Sequence, residues 1–151
     1  MEKTRRVSRR TPFEYRDDRG QNLLEVFNQE LGKSEEDLME EVIQRAVDRP
    51  ARRFWISEER AQRVLNEMAR KPLSTRYHPL KREMYEEIRR RCDKVERQHP
   101  QWTFSRCVCH VVNQPAPKFY LSVSSARVII LEERKRCARE KMRKLRHLLS
   151  E

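Results

Sequence analysis

Five cysteines and histidines lie between positions 92 and 110, and their side chains could bind a metal ion. They are Cys92, His99, Cys107, Cys109 and His110. Thiolates and imidazoles are the ligands that Zn²⁺ takes in tetrahedral protein sites, and such sites are often built from Cys-x-x-Cys pairs. The four cysteines of the chain, with Cys137 as the fourth, contain no such pair. A zinc site is therefore a hypothesis that depends on how the fold places these residues.

Residues suited to acid–base or nucleophilic catalysis are scattered. The remaining histidines, His78 and His147, lie at a proline turn and in a basic tail, and none of the four histidines neighbours a nucleophile or paired carboxylates. Helix-capping carboxylates on a solvated face explain the acidic run from Glu35 to Glu41. Only two glycines occur in the chain, so phosphate-binding loops and nucleophile elbows lack their usual residues. We therefore predict a non-enzymatic protein without a cofactor.

The chemistry that the composition favours is binding to a polyanion. The chain of 151 residues has 35 lysines and arginines against 24 acids, a net charge of +11. Such a surplus causes self-repulsion unless a polyanion neutralises it, and guanidinium groups suit bidentate phosphate contacts. The alternative is a solvated helical surface of mixed charge. No apolar segment resembles a membrane span or a signal peptide, which predicts a cytoplasmic protein with no membrane partner.

The elements that must position these residues include one stretch that occurs twice. Residues 46–65 read AVDRPARRFWISEERAQRVL and residues 111–130 read VVNQPAPKFYLSVSSARVII. At an offset of 65 they share six identities without a gap, at Val47/Val112, Pro50/Pro115, Ala51/Ala116, Phe54/Phe119, Ser57/Ser122 and Ala61/Ala126. A repeat of this kind indicates a duplicated supersecondary unit. We therefore predict an all-α, internally duplicated fold made of two three-helix, helix-turn-helix-like units.

The second copy of the repeat also carries a family resemblance. Its PAPKFYL segment, immediately before a predicted helix, resembles an uncharacterised group of small basic bacterial proteins that share Pro-Ala-Pro-x-Phe-Tyr-Leu. The resemblance covers the two repeated stretches, and it implies no activity, substrate or partner.

Apolar spacing places the helices and the boundaries between them. We predict a basic N-terminal arm at 1–19, a first three-helix repeat at 20–71, a linker at 72–79 and a second repeat with an extended helix at 80–151. In the first repeat, Gly32 ends one helix, Ser34 starts the next and Ser57 caps the third. Phe13 and Tyr15 are predicted to lie in an extended lead-in. Both repeats are expected to form one compact unit.

The repeat assigns two cysteines to the core and argues against zinc. Cys92 and Cys107 align with apolar residues of the first copy, so both are predicted to be small buried hydrophobes. Cys109 and His110 fall on the outer face of the helix that contains Cys107. Ligands on opposite sides of one helix cannot share a tetrahedral ion, and we predict no metal site.

The strongest candidate site is the turn and third helix of each copy. Many DNA-binding proteins present serine and arginine to the major groove from the start of the second helix of a helix-turn-helix. The predicted contacts are Arg52, Arg53, Arg60 and Arg63 in the first copy, and Lys118, Ser124, Ser125 and Arg127 in the second. The turn from 50 to 56 is longer than in a simple helix-turn-helix, so an αα packing corner is the alternative. We expect the aromatic pairs Phe54/Trp55 and Phe119/Tyr120 to fill the gap between helices.

Two further segments are strongly basic. The N-terminal arm supplies Arg5, Arg6, Arg9 and Arg10, which could follow phosphates or form a solubilising tail. The terminal helix, from Ser122 or Ser124 to about Leu149, has eight bases between 134 and 146 on its polar faces, and the predicted contacts among them are Arg134, Lys135, Arg136, Arg139 and Arg143. Its spacing of Ala138, Met142, Leu145 and Leu149 equally favours a coiled-coil seam that forms a homodimer and a basic helix that orders on a polyanion.

Together these features predict a non-enzymatic nucleic-acid-binding protein. Duplex DNA is preferred over RNA because paired helix-turn-helix-like units suit groove docking, whereas the sheet aromatics and glycine loops of RNA-binding modules are missing. The alternatives are an RNA-binding protein and a helical adaptor or assembly subunit. In the adaptor, the acidic first copy and the basic tail would bind protein.

Overall fold

The fold is built from α-helices. The computed structural model describes residues 12–33 and 35–150, with side chains from residue 15 onwards. Within these ranges there is no strand, and the helices are α1 (Pro12–Leu31), α2 (Met39–Val47), α3 (Glu58–Arg70), α4 (Pro79–Gln98), α5 (Phe104–Val112) and α6 (Val123–Leu149). The all-α prediction is confirmed. None of these helices is long and apolar enough to cross a membrane.

Polar side chains cap the N-termini of α3, α4, α5 and α6, and Pro79 is the first residue of α4. The hydroxyl oxygens of Ser57, Thr103 and Ser122 each accept a hydrogen bond of 3.2 Å from the backbone N–H three residues later. His78 Nδ1 accepts one of 3.1 Å from the N–H of Leu80. Each bond satisfies a backbone donor that the start of a helix leaves without an intrahelical partner. The predicted cap at Ser57 is confirmed.

Two helix starts differ from the predictions. The first helix already includes Phe13 and Tyr15, so the predicted extended lead-in is wrong. The second begins at Met39, and its N-cap residue Leu38 makes no side-chain capping bond. The predicted start at Ser34, which itself lies outside the described residues, is therefore wrong. The acidic residues 35–37 precede α2 instead of forming its first turn.

The helices pack in two groups of three, and one of the groups combines the first two helices with the last one described. α6 packs against α1 and α2, whereas α3 packs against α4 and α5. Among the described residues, no Cα atom of α2 lies within 8 Å of α3, and none of α5 lies within 8 Å of α6. The helix-turn-helix packing predicted for each copy is therefore absent, because each third helix lies on the other pair.

The two segments that follow α2 and α5 cross and hydrogen-bond to each other. Ala51 and Ala116 exchange two backbone hydrogen bonds of 3.0 Å in an isolated antiparallel bridge. Beside it, the N–H groups of Phe54 and Phe119 donate to the carbonyl oxygens of the last residues of α5 and α2, at 3.1 and 2.9 Å. Both alanines are almost inaccessible to water, so these bonds satisfy backbone groups that solvent cannot reach. The crossing directs each following helix onto the opposite pair.

One continuous core joins the two groups. Its largest fully buried side chains include Tyr85, Phe27, Phe54, Leu23, Ile43, Ile88 and Ile130. The stripes predicted for α3 and α4 are buried at Ala61, Val64, Leu65, Met68, Met84, Tyr85, Ile88, Cys92 and Val95. The rings of Phe54 and Tyr120 stack with their centroids 6.1 Å apart, so repeated aromatics fill the space between helices as predicted. Full burial of one large apolar side chain contributes about 1.5–3 kcal/mol.

Candidate nucleic-acid interface

Arg53, one of the predicted contacts, is a structural residue of the crossing. Its guanidinium donates to the carbonyl oxygens of Phe54 and Ile56 at 3.0 and 2.8 Å, and to Oδ1 of Asn113 at 3.0 Å. The residue is only 8% exposed. Its charge also lies 5.7 Å from the ring centroid of Trp55. A buried cation with these partners cannot reach a phosphate, so the prediction that Arg53 contacts nucleic acid is corrected.

Two other predicted contacts, Arg52 and Lys118, are accessible but are paired with acids. Arg52 contacts the carboxylate of Glu25, and Lys118 Nζ lies 2.7 Å from Glu83 Oε1. Exposed ion pairs contribute about 0–1 kcal/mol, so a phosphate could replace either carboxylate with little loss. These two residues are secondary candidates.

The first turns of α3 and α6 present the other predicted residues of the repeats. Arg60, Arg63, Ser124, Ser125 and Arg127 are all exposed. A hydrogen bond with the buried Tyr85 raises the pKa of Arg60. In the described part of the chain, no Cα atom of α3 lies within 8 Å of a Cα atom of α6. The structure therefore presents these residues as two separate groups.

The distal half of α6, residues 134–149, carries a dense positive charge. Eight lysines and arginines in this segment stand against one acid, Glu140. Every side chain from 141 to 149 is exposed, and the segment extends about 24 Å along the helix axis. Four of the predicted contacts are exposed on it, namely Arg134, Lys135, Arg139 and Arg143. The structure thus brings these four residues together on one projecting helix.

Arg136, also a predicted contact, anchors the distal half of α6 to the core. Its guanidinium lies 2.5 Å from Glu133 Oε1, 3.9 Å from Asp17 Oδ1 and 3.7 Å from Glu140 Oε2. Glu133 is buried, and its hydrogen bond raises the pKa of Arg136. Gly20 of α1 makes room for the pair, because a Cβ atom there would lie 2.8 Å from Glu133 Oε2. Arg136 therefore has a structural role at the base of the distal half, and we leave it out of the proposed contacts.

Three exposed bases of the distal half, Lys141, Lys144 and Arg146, were not among the predicted contacts. They share the exposure of Arg139 and Arg143 on the same helical segment. The signal that identifies them is present in the sequence, because Glu140 alone interrupts the positive charge of the segment.

A groove between α1 and α6 lies at the base of the distal half. It has a volume of about 410 Å³, and its lining includes Arg16, Lys135 and Arg139. Arg16, which the sequence did not single out, pairs with Glu132 at 2.6 Å. The predicted arm contacts Arg5, Arg6, Arg9 and Arg10 lie outside the described residues. Residues 12–19, predicted to belong to the arm, form the start of α1, and Arg16 lies about one turn after Pro12.

The cysteines occupy packed positions. Cys92 and Cys107 are buried in the core as predicted, and burial raises the pKa of Cys92 to about 12. Cys109 Sγ donates to Glu58 Oε2 at 3.1 Å, and burial is the main cause that raises its pKa to about 11. Thiols with such pKa values are protonated at neutral pH. In the part of the chain that is described, no three histidine, cysteine or acidic side chains converge as a metal site would require.

The surface assembled from these residues is a projecting basic helix with a groove at its base. No family model matches the chain, and no curated protein or solved structure matches it significantly. An assignment of function therefore depends on the chemistry of this surface.

Proposed function

We propose that the protein is a non-enzymatic nucleic-acid-binding protein that contacts its ligand mainly through the distal half of α6. The excess of eight bases over one acid on an exposed helical segment supports this proposal. Cations held this close repel one another, and a nucleic acid reduces that repulsion while releasing its own counterions. The proposed contacts are Arg134, Lys135, Arg139, Lys141, Arg143, Lys144 and Arg146.

Duplex DNA is the ligand that we favour over RNA. An α-helix with its side chains is about 10–12 Å across, close to the width of about 12 Å of the major groove of B-DNA. The major groove of A-form RNA is too narrow for side chains to enter. Weaker phosphate contacts are proposed for Arg5, Arg6, Arg9 and Arg10 of the arm and for Arg60, Arg63 and Arg127 at the helix starts.

We also propose that the fold is an internal duplication in which the third helices are exchanged. α2 and α5 have nine residues each, and their first residues lie 65 positions apart. The first residues of α3 and α6 are separated by the same 65 positions. Buried positions recur at the same offset, for example Leu23 with Ile88. The bridge between Ala51 and Ala116 likewise joins residues at this offset. In this proposal, 20–71 and 80–151 are repeats in sequence, but each lends its third helix to the other.

Salt-dependent binding to duplex DNA tests the proposed function. The affinity for a fluorescently labelled duplex, measured by anisotropy, should fall log-linearly as KCl rises from about 50 to about 300 mM. Reversing Lys141, Arg143 and Lys144 to glutamate should weaken binding to unrelated sequences alike. It should also lower the salt slope by about three, because each lost phosphate contact lowers it by about one.

The matched control reverses three bases elsewhere, so that the net charge changes equally. Arg89, Lys94 and Arg97 are exposed on α4, and reversing them should change the slope far less. Equal losses from the two triple variants would contradict a role for α6. If neither duplex DNA nor RNA binds at the lowest salt, the helical adaptor is the remaining class. Single-stranded DNA and duplex RNA in the same titration identify the preferred polymer.

A further inference from the structure

One face of α6 carries apolar side chains that no other described helix covers. Val128, Leu131, Met142, Leu145 and Leu149 are between 44% and 80% exposed. With Lys135 and Ala138 they are spaced alternately three and four residues apart, like the a and d positions of a coiled coil. These seven residues are here called the α6 seam. The sequence predicted only its last four members, and the structure extends the exposed stripe back to Val128.

We propose that two copies of the chain associate through the α6 seam as an antiparallel pair of helices. In this register Val128 packs against Leu145 of the second copy, and Leu131 packs against Met142 of the second copy. The contact is isologous, so two-fold symmetry produces each pairing twice. Apart from Lys135, the proposed nucleic-acid contacts lie outside the α6 seam, and the association does not rest on the proposed nucleic-acid binding.

The order of residues along the α6 seam suits an inverted second copy. Its apolar residues form two groups, Val128 with Leu131 at one end and Met142 with Leu145 near the other. A polar residue and a small one, Lys135 and Ala138, separate the groups. An antiparallel partner places each apolar group against the opposite one and sets each lysine against an alanine.

Charge also favours the antiparallel arrangement over the parallel one. In a parallel pair Lys135 faces its own equivalent, and Arg134 faces Arg139 across the contact, so like charges meet. In the antiparallel pair Glu132 lies beside Arg139 of the second copy twice along one flank, and Arg134 lies beside Lys141 along the other flank, so fewer like charges meet than in the parallel pair. The two distal halves then lie at opposite ends of the pair, which keeps their positive charges apart.

Sedimentation of the nuclease-treated full chain tests the association. From low micromolar to several hundred micromolar protein, the mass should rise from 18.5 kDa towards twice that value. High salt should preserve the association, because the contact is apolar and screening weakens repulsion between chains of net charge +11. The double variant Met142→Gln/Leu145→Gln should lower the association constant about tenfold or more.

Leu148→Gln is the matched control, because Leu148 is equally apolar, 68% exposed and outside the α6 seam. It should leave the association unchanged. All three substituted residues are exposed, and circular dichroism verifies that the variants fold. A mass equal to one chain at every concentration would overturn the proposal, and so would equal effects of the control and the double variant.

Cysteine cross-linking tests the orientation. In a background with Cys109→Ser and Cys137→Ser, a chain with both Leu131→Cys and Met142→Cys should form disulfide-linked dimers under mild oxidation. Leu131→Cys alone should not. Cross-linking of that single variant would show a parallel pair and overturn the antiparallel assignment. Since no nucleic acid is present in these measurements, their failure is distinguishable from failure of the proposed function.

Discussion

α1 meets α6 at a charged crossing, whereas the corresponding positions of α4 and α3 are apolar. At the crossing of α1 and α6, the carboxylate of Glu133 occupies space next to Gly20 that a side chain at position 20 would fill. At positions 65 residues away, α4 carries Tyr85 and α3 carries Met68, and both are buried. The apolar residues hold α3, a helix of 13 residues, and the charged crossing holds α6, a helix of 27 residues.

The difference between the charged and the apolar contact shows how the orientation of a projecting helix can be fixed. Apolar burial is non-directional, and it suffices for α3, which ends near the core. The distal half of α6 leaves the core, and the hydrogen-bonded pair of Glu133 and Arg136, with Asp17 beside it, restricts the angle at which it leaves. Burial of the Glu133 carboxylate is tolerated because the guanidinium of Arg136 is hydrogen-bonded to it.

The largest expected loss of stability comes from removing the buried apolar side chain of Tyr85. Replacing Tyr85 with alanine should lower the free energy of unfolding by about 3–5 kcal/mol, because a fully buried ring is lost. Tyr85→Phe keeps the ring and removes only the hydrogen bond with Arg60, so it should cost about 1 kcal/mol. Urea unfolding measures both. Equal losses would mean that the hydroxyl, and not the ring, holds α3.

Filling the charged crossing should have the next largest effect. Gly20→Leu should destabilise the fold by about 1–3 kcal/mol, because the new side chain meets Glu133. Glu133→Ala creates space, so the double variant should lose about 1 kcal/mol less than the sum of the two single variants. Thermal or urea unfolding of the four proteins in the cycle measures this coupling. Strict additivity would show that the two residues do not determine the crossing together.

The pH dependence of stability should also differ between α1 and α4, by a smaller amount. Glu30 of α1 is buried, and hydrogen bonds from Lys33 and Arg45 hold the pKa of its carboxylate below its ordinary value. Its stabilising effect is therefore present at neutral pH and is lost as the pH falls through the lowered pKa. Glu30→Gln should be less stable than the wild type at pH 7, and this difference should shrink below about pH 4.

The control for Glu30 is Val95, which lies 65 residues later and is buried in α4. Val95→Ala removes apolar contacts only, so its loss of stability should be similar at both pH values. Urea unfolding at neutral and acidic pH measures the two variants. A difference between wild type and Glu30→Gln that does not depend on pH would exclude the ion-pair explanation.

The smallest effect expected is chemical and concerns the core thiol of α4. Burial raises the pKa of Cys92 to about 12, so only about one molecule in 10⁴ carries the reactive thiolate at pH 8. Iodoacetamide should leave Cys92 unmodified in the folded protein and modify it in urea, as read by mass spectrometry. Rapid modification of Cys92 in the native protein would contradict an apolar, closed face on α4.

Helical periodicity predicted the buried faces well. The stripe from Met84 to Val95 and the stripe from Ala61 to Met68 are buried as expected, because residues three and four apart share one face of a helix whatever lies opposite. The cap at Ser57 followed from the same local rules. The start of α2 could not be predicted from these rules. Ser34 and the acids after it resemble the usual start of a helix, but α2 begins only at Met39.

The partners of these faces could not be predicted in the same way. A periodic apolar stripe says which side of a helix is buried but not which helix covers it, so the packing of α3 on α4 and α5 was missed. Arg53 was misassigned for a related reason. An arginine that donates to carbonyl oxygens and one that donates to phosphates have the same appearance in a sequence.

The crossing at Ala51 and Ala116 has a consequence for the order of events during synthesis. α1 and α2 are made early, but the helix that covers them, α6, is the final helix described. α3 likewise cannot reach its packing partners until α4 and α5 have been made. Contacts of such wide sequence separation form late, and the apolar faces of the first helices stay open to chaperones and to neighbouring chains until then. The growing chain therefore completes its core only when its most basic helix has emerged.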